Sequence, residues 1–431
     1  EGPLYESVQA KFERLREIFS IDNIEPTKAN YQKLCRGELA LNGLEEKIKK
    51  TLSGHLVNYN EHWGQIDEMH EVLFSGVFRN AYPDSYGNGW KFTWHILDHV
   101  GYDYNPRRRD LGFHNIFDYY SDKINEKKIR DDLEWHFHPF STLAEAHRCG
   151  TFYFRNDLIY QILSRKIIER GWFPSSYRAG FQTERPDSNW FIEQWFPFDI
   201  SNTSFEDISE LEAMTDLRKG RSGNWRNAPN DWSIYNPHHD DYQRKGNSRR
   251  WIGRALNVLN RFASINQNEV DKAFHSAFKK NQPVLMGITG HDFRDLKVEV
   301  EFVQDLIKNS QKRYPDVKFR YCSVKEAFRR TIWKTDNPGK KLELEVSLDT
   351  KPTDDVPNMI VRTKEGKVFG PQPFLAIKTK GGRFIHDNFD FIDDSTWGYA
   401  FHSDTLDFLS VASISIAAND MYGNTVVKKV F

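Results

Sequence analysis

The sequence predicts an α/β chain built on a parallel sheet, followed by an all-β module. Three observations carry this reading. Short runs of strand formers alternate with helix-period segments between residues 54 and 323. Polar and charged residues cluster at the ends of those runs. After residue 337 the helical period stops, and only short alternating runs remain. Strands separated by helices imply parallel pairing with crossovers, in a barrel or a doubly wound sheet. In both, the chemistry gathers at the C-terminal ends of the strands.

Residues 1–51 read as a helical segment. VQAKFERLREIF and LNGLEEKIKKTL place apolar residues at helical spacing, with Pro26 between them. Residues 52–337 form the α/β unit. GHLVNYNEHW (54–63), WKFTWHILDHVGY (90–102), DDLEWHFHPF (131–140), WFPSSYRAGF (172–181), PVLMGITGHDF (283–293) and VKFRYCS (317–323) are its expected strands. Helices are expected in IDEMHEVLFSGVF, HNIFDYYSDKINEKKI, DLIYQILSRKIIERG, NEVDKAFHSAFKKNQ and LKVEVEFVQDLIKNSQKRYP. Gly171 closes the third of these as a C-cap. Residues 338–431 alternate apolar and polar positions between Gly, Asp and Pro turns, as in LELEVSLDT and PFLAIKTKGG. That pattern predicts a β-sandwich.

Composition excludes some function classes. Lys and Arg number 60 against 61 Asp and Glu, a net charge of −1. This balance gives no electrostatic footprint for nucleic acid or an acidic membrane. No apolar run reaches the ~18 residues of a membrane span, and EGPLYESVQ does not read as a signal peptide. Cys35, Cys149 and Cys322 are distant and odd in number, which fits a reducing, cytoplasmic compartment without disulfides. The 12 Trp, 18 Tyr and 32 Phe mostly fill a large core. A few at strand ends, namely Trp63, Tyr177 and Trp232, are expected to meet the flat C–H faces of a sugar.

The WHFHP stretch supplies the sharpest site signal. In a strand, residues i and i+2 share a face, so His136 and His138 can grip one metal ion. A hydrolytic metal site needs about three ligands and an open position for water. Glu61, at a neighbouring strand end beside Asn60, is the expected carboxylate ligand or base, and His147 is a reserve ligand. His291 is the expected general acid. Adjacent strand residues face opposite ways, so Asp292 need not be its partner, and Asp231 is an alternative. Arg178 can bind a carboxylate or orient a catalytic acid. The paired His238 and His239, and the run Arg107–Arg109, read as solvated loops.

With these positions in order, residues 52–335 resemble the polysaccharide deacetylases of the NodB-homology type, carbohydrate esterase family four. The branch found in bacterial capsule and O-antigen gene clusters is the most similar. KFTWHILDHVG resembles the family's strand after the first helix, LVNYNEHW falls at its T-F-D-D motif, and WHFHP at H-S-x-x-H. YRAG resembles R-x-P-Y-G through Arg178 and Gly180, NDWSIY the fourth motif through Asp231 and Trp232, and ITGHDF the L-x-H motif through His291. VKFRYCSVKEAF resembles the final strand and helix. The resemblance implies a distorted (β/α) barrel and Zn²⁺-dependent removal of acetyl groups from a saccharide of cell-surface glycan synthesis. It implies a motif-one carboxylate as base, His291 as acid, and Arg178 orienting the base. Two departures stand out. Asn60–Glu61 replaces Asp–Asp, and the histidines are spaced H-x-H. Asn60 cannot serve as a base, which opens a second reading: a catalytically silent carbohydrate-binding protein on the same barrel.

Overall fold

The computed structural model describes residues 1–431 except 53, 99–101, 139–143, 145–152, 155–157, 207–222, 261–262, 337 and 354–355. Three helices open the chain: α1 (Val8–Phe19), α2 (Lys28–Arg36) and α3 (Glu45–Thr51). Ser7 and Thr27 start the first two by accepting from the amides of Ala10 and Asn30. Gly37, with φ +73°, ends the second. Their apolar faces close on Phe12, Leu15, Leu34, Ile48 and Leu52.

Two short helices, α4 (Gly54–Val57) and α6 (Gly76–Ala81), flank α5 (Trp63–Leu73). The expected strand at 54–63 is therefore not a strand. Asn58 closes a helical turn on Gly54, and the extended residues after it bond elsewhere. The Asn60 carbonyl accepts from Leu4, and its amide donates to Phe293.

The centre is a mixed α/β unit whose six-stranded parallel sheet curls into a half barrel. Its strands lie in chain order: β1 (Thr93–Asp98), β2 (Asp132–Phe137), β3 (Ser176–Ala179), β4 (Phe198–Asn202), β5 (Trp251–Asn257) and β6 (Gly287–Thr289). Leu97, His136 and Arg178 stand side by side across β1, β2 and β3. The crossovers include α7 (Asn115–Lys127), α8 (Leu158–Arg170), α9 (Pro186–Trp195) and α10 (Gln267–Lys280). After β6 come α11 (Leu296–Arg313) and α12 (Val324–Ile332). Residues 317–323, expected as a strand, join no ladder. Phe319 and Tyr321 bond instead to Ser85 and Asp84 in the loop after α6. Two strands, β4 and β5, have no counterpart among the expected ones. Both are buried nearly throughout: β5 lacks a regular alternation, and β4 alternates in Phe198–Asp199–Ile200–Ser201 but buries its polar face as well.

The C-terminal residues form two antiparallel four-stranded sheets. Their strands are β7 (Glu343–Asp349), β8 (Asn358–Glu365), β9 (Phe374–Thr379), β10 (Phe384–Asp387), β11 (Asp390–Asp393), β12 (Thr396–Ala400), β13 (Val411–Asn419) and β14 (Thr425–Lys429). Leu375, Ile377, Ile414 and Ile416 face Met359, Val361 and Trp397 across the sandwich. The opposite faces of β9 and β13 carry Phe374, Ala376 and Ala417, which join Trp135, Tyr177 and Phe196 of the half barrel in one core. Asn419 reinforces the seam, its amide donating to the carbonyls of Pro174 and Trp195. Among the described residues no helix is long and apolar enough to cross a membrane.

Phe374 is fully buried where the two units meet. Phe374→Ala should cost about 3–5 kcal/mol, read as a lower urea midpoint. His70 gives a second expectation. Burial pushes its pKa down from 6.5 to about 4. The unfolded chain therefore takes up a proton near pH 6.5 that the folded chain refuses until about pH 4. Stability from this group is complete above pH 6.5 and falls by about 3 kcal/mol between pH 6.5 and 4. Urea titrations at pH 7 and pH 4 should show that loss, and His70→Gln should diminish it.

Candidate metal centre

The parallel ladder delivers His136 to the C-terminal end of β2, and His138 follows one residue past the strand. The His138 amide still donates to the Asp98 carbonyl, so the extended register continues. The two imidazoles face each other edge to plane, with Nε2 atoms 3.2 Å apart. His136 Nδ1 lies 2.8 Å from the Arg178 carbonyl. A carbonyl only accepts, so Nδ1 carries the proton and Nε2 presents a lone pair.

The carboxylate that meets them belongs to Glu1. Its Oε1 lies 3.3 Å from His136 Nε2, 3.8 Å from His138 Nε2 and 3.9 Å from His291 Nε2. Its Oε2 is 2.5 Å from Arg109 Nη1. Burial alone would raise the Glu1 pKa, but the Arg109 guanidinium beside it holds the carboxyl well below its usual range. Burial drives the histidines the other way. His138 falls to about 3, His136 falls despite the pull of Glu1, and His291 drops well below 6.5. The site thus holds one carboxylate and neutral imidazoles.

Glu1, His136 and His138 form a group of ligand atoms suited to one ion. Tetrahedral zinc with bonds of about 2.0–2.1 Å needs donors roughly 3.3 Å apart. The observed separations of 3.2, 3.3 and 3.8 Å fit that requirement. Three protein donors leave a fourth position open, the pattern of a catalytic rather than a structural site.

Glu1, His136 and His291 line a cavity of about 240 Å³ inside the half barrel, with Arg178, His95, Thr289 and Asp292. Arg178 is buried and remains a cation, since burial lowers its pKa only to about 10. Its Nη2 reaches Thr289 Oγ1 at 3.4 Å, and its Nε has no hydrogen-bond partner among the described residues. His95 lies 3.3 Å from Ser176 Oγ.

No family model, curated protein or solved structure matches the chain.

His136, His138, His291 and Arg178 therefore converge as a group, while other expected residues lie elsewhere. Glu61 is exposed, and its backbone amide donates to Gln65 Oε1 at 2.7 Å. It follows α4 in an irregular segment rather than ending a strand, so Glu1 holds the carboxylate place. Asn60 donates its side-chain amide to the carbonyls of Asp292 and Arg294. Asp231 is exposed and caps its own turn at Ser233. Tyr177 is fully buried, because strand alternation turns Arg178 into the barrel and Tyr177 into the outer core. Trp232 is buried too, its indole donating to the Glu269 carbonyl with Arg254 over its face. Trp63 packs over Gly2 and Tyr119. His147 lies outside the described residues. His238 and His239 sit in a loop remote from the cluster, their carbonyls accepting from Asn189.

The sequence reading missed Glu1, Arg109, Tyr120 and His95. For His95 a signal existed: it is the polar member of an apolar strand, two residues from Thr93 on the same face.

The protein should bind one divalent cation per chain. His136→Ala should weaken zinc binding about a hundredfold or more, measured by titration calorimetry, whereas Glu61→Gln should leave it unchanged.

Proposed function

We propose that the chain is a metal-dependent hydrolase that removes acetyl groups from a polysaccharide or sugar intermediate of cell-surface glycan synthesis. The half barrel is read as a distorted (β/α) barrel of the NodB-homology type, with zinc as its metal. The observation that carries the reading is a three-donor cluster at tetrahedral spacing, two of whose members line one cavity with a neutral histidine and a buried arginine. On this reading Glu1 takes the motif-one role first assigned to Glu61. The free thiols of Cys35 and Cys322 agree with a cytoplasmic setting.

The chemistry divides among these side chains. Glu1, His136 and His138 would hold the ion. When bound, it supplies an activated water and Lewis acidity toward the acyl oxygen. His291, kept neutral by burial, offers an Nε2 lone pair to accept a proton and then returns that proton to the departing amine or alkoxide. Arg178 supplies a fixed positive charge beside the same cavity.

One observation favours the second reading, a carbohydrate-binding protein without turnover. Among the described residues, Glu1, Asp292 and Glu299 are the carboxylates that line the cavity. The first is a ligand, the second accepts from Tyr120, and the third pairs with His55. Proton transfer on the hydrolase reading therefore rests on His291.

The test is hydrolysis of a simple aryl acetate and acetate release from acetylated chito-oligosaccharides by the zinc-loaded protein. Turnover should vanish with a chelator and return with zinc. His291→Ala should lower it roughly 10²–10⁴-fold while zinc stoichiometry stays at one. Zinc binding without any acyl hydrolysis would favour the silent reading. Hydrolysis that persists in His291→Ala would remove that residue from the mechanism.

A further inference from the structure

We propose that Asp292 and Tyr120 are positioning residues that fix Glu1 as a metal ligand. The inference rests on the metal-centre reading above and assigns the device that aims its carboxylate. Glu1 is not in a strand or a helix, so no ladder orients it. Its backbone is held by one side chain instead. Asp292 Oδ1 lies 2.9 Å from the Glu1 backbone nitrogen, and Asp292 Oδ2 accepts from the Gly2 amide at 2.7 Å. One carboxylate thus clamps two consecutive backbone donors. The chain then turns at Gly2, where φ is +74° and an added Cβ would lie 3.1 Å from the Trp63 ring.

Asp292 is itself fixed from two sides. The Tyr120 hydroxyl donates to Oδ2 at 2.7 Å, and the Asn60 side-chain amide donates to the Asp292 carbonyl at 2.8 Å. Tyr120 is fully buried, and its ring stacks on Trp94 at 4.6 Å. Its hydroxyl also lies 3.5 Å from His70 Nε2. Through His70 and Tyr119 the row continues to Asp67, with contacts of 3.0 and 2.8 Å. Neighbouring residues take separate roles here. His291 faces Glu1 across the cavity, and Asp292 holds the Glu1 backbone from the other side. The carboxylate of Asp292 is thereby an outer-shell group, and such groups typically govern metal affinity by 10–100-fold.

The test uses zinc alone as ligand, measured by calorimetry, with Co²⁺ substitution as a second readout. Tyr120→Phe removes one hydroxyl and keeps the ring packing. Asp292→Asn keeps the shape but turns one acceptor into a donor. Each should weaken zinc about 10–100-fold with thermal stability close to the parent. The visible Co²⁺ absorption should also lose intensity, as Glu1 leaves the set and water replaces it. The double variant should resemble Asp292→Asn alone, since Tyr120 acts through Asp292. Zinc affinity within twofold of the parent in a folded Tyr120→Phe and Asp292→Asn would overturn the proposal. Should Asp292→Asn fail to fold, Tyr120→Phe decides alone. A parent protein that binds no zinc would sink the metal-centre reading first. A parent that binds, with variants that bind equally, would sink only the positioning role.

Discussion

The contact between the His136 imidazole and the Arg178 carbonyl joins the fold to its chemistry. Both residues belong to the same parallel register, so the ladder that builds the sheet also sets their separation. The carbonyl fixes which imidazole nitrogen keeps its proton, and so frees the other toward Glu1. The Arg178 side chain leaves the same residue into the cavity beside that nitrogen. A one-residue slip of β3 against β2 would turn Arg178 to the outer core and leave His136 without this carbonyl. The register is guarded lower in the strands, where buried Glu134 accepts from the amides of Ser175 and Ser176 and from the Ser175 hydroxyl.

Burial then sorts the charges. A buried carboxylate among apolar strands would be driven toward its neutral form, and Arg109 prevents this for Glu1. The imidazoles experience the opposite pressure and stay neutral. A neutral imidazole is the form that donates an electron pair to a metal and accepts a proton from water. The same desolvation therefore serves both the ligands and His291. The donor atoms of Glu1, His136 and His138 lie within 4 Å of one another, a spacing that one cation could bridge.

The sequence revealed the parts that depend on local period. The two-residue spacing of His136 and His138 placed them on one face, and the alternating runs after residue 337 announced the sandwich. It concealed the parts that depend on long-range contact. Glu1 stands outside any periodic element, and its role comes from residues 108, 135 and 291 positions away. Arg109 looked solvated within a run of three arginines, yet it is buried because Glu1 neutralises it. The segment around Asn60 has strand-like composition, but Leu4 and Phe293 take its backbone bonds, and this misdirected the expected carboxylate to Glu61. Strand β5 was hidden for a different reason, since burial on both faces blurs its two-residue alternation, and β4 is only five residues long.

The sandwich bears on the site through the same core. Phe374, Ala376 and Ala417 come from its strands, and Trp135 and Tyr177 from β2 and β3, the strands that carry His136 and Arg178. Each of those two strands alternates between this shared core and the cavity. Trp135 and Tyr177 anchor outward, and their chain neighbours His136 and Arg178 project inward. Trp135 also donates its indole N–H to Asp98, which pairs with buried Lys166 on α8, and α8 packs directly on β9 and β10. A loosening of the sandwich seam would therefore be felt first by the outward anchors and then, through the rigid strand backbone, by the spacing of the ligands. That coupling gives the C-terminal module a structural part in the candidate site, although none of its described residues lines the cavity.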